Sequence, residues 1–448
     1  MPDDIDGMPR PNLNGPSRPG SARECSVLAE KQDSAFWTKQ EAAGRWLASS
    51  ALTQSILSIS FLLQSGVALA EKKYDPGATD TEIKIGQTMP YSGPGSTYGT
   101  IGKAEVAYFK MINDQGGING RKINFISLDD GYSPPRTVEQ IRKLVEEEEV
   151  LLTFGNLGTA HNTAIHKYMN AKKVPQLFVS TGASKWGDPQ HFPWTMGWLP
   201  PYQHESRIYA RYLLQNKPDA RIAVLYQNDD YGKDYLKGFK DGLGEKAARM
   251  IVAEVSYEAT DPTIDSQIVS LQASGADVLF DISIPKFAAQ AIRKVYDIGW
   301  RPLHIINNVS NSIASVLQPA GLEKSMGLIS SNYLKDSTDP AWREDKAIKN
   351  YVALMKRYYP DGNPDDIINV YGYAAAQTLV QVLKLCGDDL TRENVMRQAA
   401  NLKNLEVAGL LPGISINTSP TDFYPLKQVQ LMRFDGKRWV HFGEVLGK

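Results

Sequence analysis

From Ile83 onward the chain switches repeatedly between short β-branched runs and longer stretches of helical period, and this alternation leaves few architectures open. Residues 83–89 read as a strand. Ala104, Ala107, Tyr108, Met111 and Ile112 then recur at the i, i+3, i+4, i+7, i+8 spacing of one buried helix stripe, and Gly116, Gly117 and Gly120 end that helix. Strands follow at 123–128, 150–154 and 174–179, with helices over 137–148, opened by Pro134 and Pro135, and over 159–171. A loop-like stretch, 186–202, leads to a second series. Its strands lie at 221–226, 250–255, 278–282 and 304–306, and its helices near 231–243, 264–273 and 285–296. Strands joined through helices must run parallel, so the expected fold class is α/β with two doubly wound units. A helix pair over 342–359 and 365–386 comes next, then a hairpin turning at Asp435-Gly436 into Trp439-Val440-His441-Phe442.

Lys and Arg total 49 against 50 Asp and Glu, which leaves no field for holding polyanions, so no nucleic-acid partner is expected. The two cysteines, Cys25 and Cys386, are too few for a disulfide framework or a thiolate zinc site. A chain of 448 residues can bury enough surface to be stable without either.

The first seventy residues differ in style. Pro2, Pro9, Pro11, Pro16 and Pro19 with Gly7, Gly15 and Gly20 predict a disordered extension, which we place at 1–44. Arg45, an apolar run at 56–63 and Ala68-Leu69-Ala70 reproduce a secretory signal over 45–70, cut after Ala70. Its apolar run falls short of the roughly 20 residues a membrane span needs. An uncleaved amphipathic helix or a lipid anchor is the alternative. Cleavage would leave Cys386 alone at the end of an apolar helical pattern, a core position.

Enzyme signatures are missing. Gly93-Pro94-Gly95 and Gly116-Gly117-Ile118-Asn119-Gly120 match neither G-x-G-x-x-G nor a P-loop, and no G-x-S-x-G elbow occurs. His161 and His166, five apart, fall on different faces of their helix, unlike the i, i+4 pair of a zinc protease, and read as surface histidines. Asp129-Asp130 and Asp229-Asp230 follow strands, where turn aspartates are common. No enzyme activity, metal or organic cofactor is expected.

Ligands of open α/β sheets bind beyond the carboxyl ends of the strands. There, Gly155-Asn156-Leu157-Gly158-Thr159 leads directly into a helix. Free amides of a first helical turn, the helix dipole and the Thr159 hydroxyl make a seat for a carboxylate without any cation. The next strand ends in Ser180-Thr181-Gly182-Ala183-Ser184, small residues that let a ligand approach the backbone. Taken singly, both are also ordinary strand-to-helix turns with a capping hydroxyl.

Taken together with Ser92-Gly93-Pro94-Gly95-Ser96-Thr97-Tyr98-Gly99, Gly-Gly-Ile-Asn-Gly-Arg at 116–121 and Asn228-Asp229-Asp230-Tyr231-Gly232, these turns occur in an order that resembles the leucine/isoleucine/valine-binding protein family. Members are periplasmic solute-binding proteins that feed ATP-driven importers. The resemblance covers nearly all of 80–448 and implies a type I periplasmic binding protein: two Rossmann-like lobes joined by a three-crossover hinge. It places the N-terminal lobe at 81–200 plus 334–410 and the C-terminal lobe at 201–333 plus 411–448. It further implies a periplasmic monomer that closes on a small carboxylate and docks on membrane permease subunits. By the resemblance Thr159 holds the ligand carboxylate, Gly182 and Ser184 serve its polar head, and Tyr98 lines the side-chain pocket. Asn156, Ser180 and Asn308 join this set from the same strand ends. At 282–285, where the family often has a tyrosine, the chain reads Ser283-Ile284.

One departure is informative. Amino-acid-binding members place an acid after the strand corresponding to 304–306, where it pairs with the ligand ammonium. Here the sequence reads Asn307-Asn308-Val309-Ser310-Asn311, with no Asp or Glu from Pro302 to Gly321. A desolvated ammonium without a partner is costly, so α-amino acids are disfavoured unless Asp281 or Glu205 substitutes. Trp194, Trp198, Tyr202, Tyr231 and Tyr371 supply rings near the predicted cleft, and the tail from Asn417 to Trp439 resembles a branch associated with aromatic acids. The expected ligand is therefore an aromatic or branched carboxylate. Two alternatives stand beside it: a true branched-chain amino acid binder, and a sensor of the same fold acting on a separate signalling partner.

Overall fold

A computed structural model describes residues 72–447; the extension expected at 1–44, the signal expected at 45–70 and Cys25 lie outside the described residues. The first series comprises β1 (Lys73–Tyr74), β2 (Glu82–Met89), α1 (Gly99–Asp114), β3 (Lys122–Asp129), α2 (Pro134–Arg142), β4 (Leu152–Phe154), α3 (Thr159–Lys172), β5 (Gln176–Val179) and β6 (Thr195–Gly197). Strands β2 to β6 form a five-stranded, wholly parallel sheet in the order β3-β2-β4-β5-β6. Its middle strands β4 and β5 are buried at every position, without alternation, as helices on both faces of a parallel sheet require.

The second series runs α4 (Tyr202–Asn216), β7 (Ile222–Gln227), α5 (Asp230–Leu243), α6 (Ala247–Met250), β8 (Ile251–Tyr257), α7 (Asp265–Ala273), β9 (Val278–Ile282), α8 (Pro285–Asp297), β10 (Leu303–Ile306), α9 (Gln318–Ala320) and β11 (Ile329–Asn332). After it come α10 (Lys346–Tyr358), α11 (Ile367–Cys386), β12 (Asp389–Leu390), α12 (Arg392–Ala399), β13 (Val429–Phe434) and β14 (Trp439–Leu446). The second sheet has seven strands in the order β14-β13-β11-β10-β9-β7-β8. Its five strands from the second series are parallel, and the hairpin β13–β14 adds antiparallel at one edge.

Helices α10 to α12 return to the first sheet. Helix α11 lies so close along α1 that a Cβ at Gly372 would stand 2.8 Å from the Ile101 carbonyl oxygen. Strand β12 pairs with β1, and Thr100 bonds to Asn369. The chain therefore passes between the sheets after β6, after β11 and between α12 and β13, giving two lobes with three connections.

Several elements differ from the sequence expectation. The helix expected over 137–148 is α-helical only to Arg142 and continues as a wider π turn, Lys143–Glu147. Helix α4 begins where a loop was expected to end, because its buried face carries Glu205 and Ser206 and breaks the apolar period. Strand β11 reads Ile-Ser-Ser-Asn yet is buried throughout, so no apolar run marks it. His161 and His166 are not surface residues: they are 2% and 4% exposed because α3 is covered on more than one side. His161 packs on the Tyr132 ring at 4.4 Å and His166 stacks on Phe192 at 3.8 Å, where burial holds its imidazole down at about 4. Cys386 is buried, and burial pushes its thiol up to about 12.

Candidate functional site

The carboxyl ends of the parallel strands of both sheets border one cavity of about 730 Å³ including its mouth, lined by residues of both lobes. Its floor on the first lobe is the start of α3. Gly158 adopts φ 96°, and a Cβ there would lie 2.3 Å from His161 Nδ1, so the turn demands glycine. The first bond of the helix runs from the Asn162 amide to the Gly158 carbonyl at 3.0 Å, which leaves the amides of Thr159, Ala160 and His161 ahead of the helical ladder. Thr159 Oγ1 lies 2.6 Å from Thr181 Oγ1, and Ser180 Oγ 3.0 Å from the Tyr371 hydroxyl. This corner offers donors and a positive dipole end to an anion.

Of the residues singled out from sequence, Tyr98, Thr159, Ser180, Tyr202, Tyr231, Asn308 and Tyr371 line the cavity. The others do not. Asn156 braces the turn beneath it, its Oδ1 accepting the Thr88 amide at 2.9 Å and its Nδ2 donating to Thr153. The Gly182 carbonyl accepts the Tyr202 amide at 2.7 Å, and Ser184 gives amide and hydroxyl to Asp234 at 2.9 and 3.0 Å. Trp198 is fully buried, its Nε1 donating to Thr378 and its ring meeting Tyr371 edge-on at 5.2 Å, so it backs the wall. Asp281 and Ser283 are buried and bonded to each other, with His304 Nε2 3.4 Å from the carboxylate. Trp194 also stands outside the lining.

Tyr132, Leu199, Tyr333 and Ile368 line the cavity without having been singled out from sequence, and Leu157 and Asn311, named only as parts of the turn before α3 and of the run after β10, line it too. Tyr132 sits just beyond β3, where the rule of strand ends could have found it. Tyr333 follows β11, whose composition hid the strand.

The lining contains no charged side chain. Glu205, one of the two acids that could have supplied a counter-charge, is 1% exposed and accepts five hydrogen bonds: from the hydroxyls of Tyr209, Tyr235 and Ser331 and from the amide and Nδ2 of Asn308. Burial raises its carboxyl above the ordinary value while these bonds pull it back. Its work is to hold Asn308 in the wall. Among the described residues no cluster of three or more acids, histidines or cysteines could hold a metal.

The cavity is closed by bonds between the lobes. The Tyr98 hydroxyl donates to the Val309 carbonyl at 3.1 Å, Gln227 Nε2 to the Tyr132 hydroxyl at 3.4 Å, and Lys185 Nζ to Asp230 at 2.6 Å.

Two doubly wound lobes with a ligand-sized cavity between their strand ends constitute the type I periplasmic binding protein fold. A family model described as periplasmic binding protein matches residues 82–438, and the chain belongs to that family. It is 26% identical over 338 residues to a Leu/Ile/Val-binding protein homolog 1 of Brucella suis, a match covering 74% of this chain and 86% of that protein. A branched chain amino acid ABC transporter protein from Thermus thermophilus with bound valine shares the fold with a TM-score of 0.73 at 15% identity, over 83% of this chain and 98% of that one. A fatty acid ABC transporter substrate-binding protein from Thermomonospora curvata does so with a TM-score of 0.70 at 21% identity, over 84% and 95%.

Proposed function

We propose that the protein is the exported, non-enzymatic receptor of an ABC importer, and that it captures an aromatic or branched carboxylate lacking an α-amino group. The observation that carries this reading is a cavity walled by six tyrosines, with helical amides at one corner and no charged side chain in its lining. Amides and a helix dipole stabilise a carboxylate, and the rings offer apolar area to the rest of the ligand. An ammonium would lose its hydration and find no carboxylate. The fold does not choose between the ligand classes, since proteins named for valine and for fatty acid share it.

Closure around the ligand would present a joined surface of both lobes to permease subunits, and export would proceed through the signal at 45–70, cut after Ala70. The names of the relatives favour a second reading, a branched-chain amino acid binder. Thermal-shift screening against amino acids, benzoates, phenylpropenoates and aliphatic acids separates the two, because a ligand bound only by the folded state raises the melting temperature. Carboxylates without an amino group are expected to shift it; a shift by leucine, isoleucine and valine alone would contradict the proposal. Fractionation with N-terminal sequencing tests export, and residues 45–70 intact on cytosolic protein would overturn it.

A further inference from the structure

The second-lobe wall carries oxygens that the anion seat does not use. Asn308 gives its backbone amide to Glu205 at 2.9 Å and its Nδ2 to the same carboxylate. Asn311 gives its Nδ2 to the Ser331 carbonyl at 3.0 Å, while its own carbonyl accepts Trp439 Nε1 at 2.8 Å. A carboxylate and a carbonyl can only accept, so these bonds dictate how each side-chain amide is turned: nitrogen into the protein, Oδ1 away from it. Both asparagines line the cavity and are 8% and 4% exposed, and neither Oδ1 has a hydrogen-bond partner among the described residues. Tyr333, 3% exposed on the connection after β11, also lines the cavity, and its hydroxyl likewise has no partner among the described residues.

These oxygens face the open cavity and are not among the buried polar atoms that lack a partner; a ligand that fills the cavity displaces their water, and an amide oxygen is then satisfied only by a donor. A carboxylate cannot serve it. The cavity thus shows two unlike walls: donors on the first lobe at the start of α3, acceptors on the second lobe at Asn308 and Asn311, and the amphoteric Tyr333 hydroxyl at the hinge. Resting on the carboxylate reading above, we infer that the ligand carries a neutral hydrogen-bond donor, an alcohol or phenol hydroxyl, in addition to its carboxylate. The carboxylate meets the amides of the first lobe, and the hydroxyl gives its one proton to Asn308 Oδ1 or Asn311 Oδ1, with the Tyr333 hydroxyl free to donate or accept beside it. A ligand with both groups bridges the lobes and so binds the closed state in preference to the open one.

Titration calorimetry with matched pairs tests this: benzoate against 4-hydroxybenzoate, cinnamate against 4-hydroxycinnamate, and 4-methylpentanoate against 2-hydroxy-4-methylpentanoate, with leucine alongside. The hydroxylated member of at least one pair is expected to bind about tenfold tighter or more. Tyr333→Phe, which removes only the hydroxyl oxygen, and Asn311→Ala are expected to shrink that preference by weakening the hydroxylated acid more than the plain one. Equal affinities within every pair, with plain acids binding, would overturn the hydroxyl inference and leave the carboxylate reading standing. Tighter binding of leucine than of any acid lacking the amino group would overturn both.

Discussion

Ser312 Oγ donates to Asp366 Oδ1 at 2.9 Å across the cleft, joining the N-caps of two helices that belong to different lobes. Asp366 caps α11, accepting the Ile368 amide at 3.0 Å, and Ser312 caps the helical turn Ile313–Leu317, accepting the Ser315 amide at 3.0 Å. The Ser315 hydroxyl reaches the same carboxylate. Ser312, Ile367 and Ile368 line the cavity, so this junction closes one side of the ligand chamber.

Hydrogen bonds to a buried carboxylate are worth about 1.5–3 kcal/mol each. Replacing both hydroxyls, as Ser312→Ala with Ser315→Ala, should therefore favour the open state. Small-angle scattering should show a larger radius of gyration than wild type, and ligand dissociation should be faster. Unchanged scattering and unchanged dissociation would remove the junction from the closure mechanism.

The Lys185–Asp230 pair also bridges the lobes, at 2.6 Å, but its side chains are 38% and 44% exposed. An ion pair so open to water contributes at most about 1 kcal/mol and is weakened by salt. Lys185→Ala should change ligand affinity by less than about 1 kcal/mol in calorimetry at physiological ionic strength, far less than the serine pair.

At the anion seat, Thr159→Ala should weaken carboxylate binding by about 1–2 kcal/mol, less than a full hydroxyl–carboxylate bond because the Thr159 hydroxyl already has Thr181 as a partner. The helical amides remain, so binding is reduced and not abolished. Affinity equal to wild type would place the carboxylate elsewhere.

Glu105 on α1 is fully buried beside Gln87, with Oε1 unpartnered, and burial raises its carboxyl well above the ordinary value of 4.5. A raised acid binds its proton better in the folded than in the unfolded state. Its contribution to stability is complete below the unfolded value and is lost as pH rises through the folded one. Glu105→Gln, which mimics the protonated form, should raise the melting temperature at about pH 8 and flatten its fall between about pH 5 and 8. A variant less stable than wild type at every pH would contradict this.

The architecture was legible because the signals for parallel α/β units are local: a β-branched run, a turn, a helical stripe. The α3 corner was legible for the same reason, since strand, Gly158 and Thr159 are consecutive. What escaped depends on partners distant in the chain. Ser184 was expected at the ligand, but Asp234, fifty residues on, takes both its amide and its hydroxyl. Glu205 was a possible counter-ion until Tyr235, Asn308 and Ser331, between 30 and 126 residues away, turn it inward. Tyr333 was invisible because β11 is a buried strand built largely of serine and asparagine.

A cavity without charged side chains in its lining should select carboxylates over zwitterions. Calorimetric titration of the purified protein with 4-methylpentanoate against leucine, and with 3-phenylpropanoate against phenylalanine, tests it most directly. In the pair matching the pocket the acid without an amino group is expected to bind and its amino acid is not; tighter binding of the amino acid in that pair would contradict carboxylate selection.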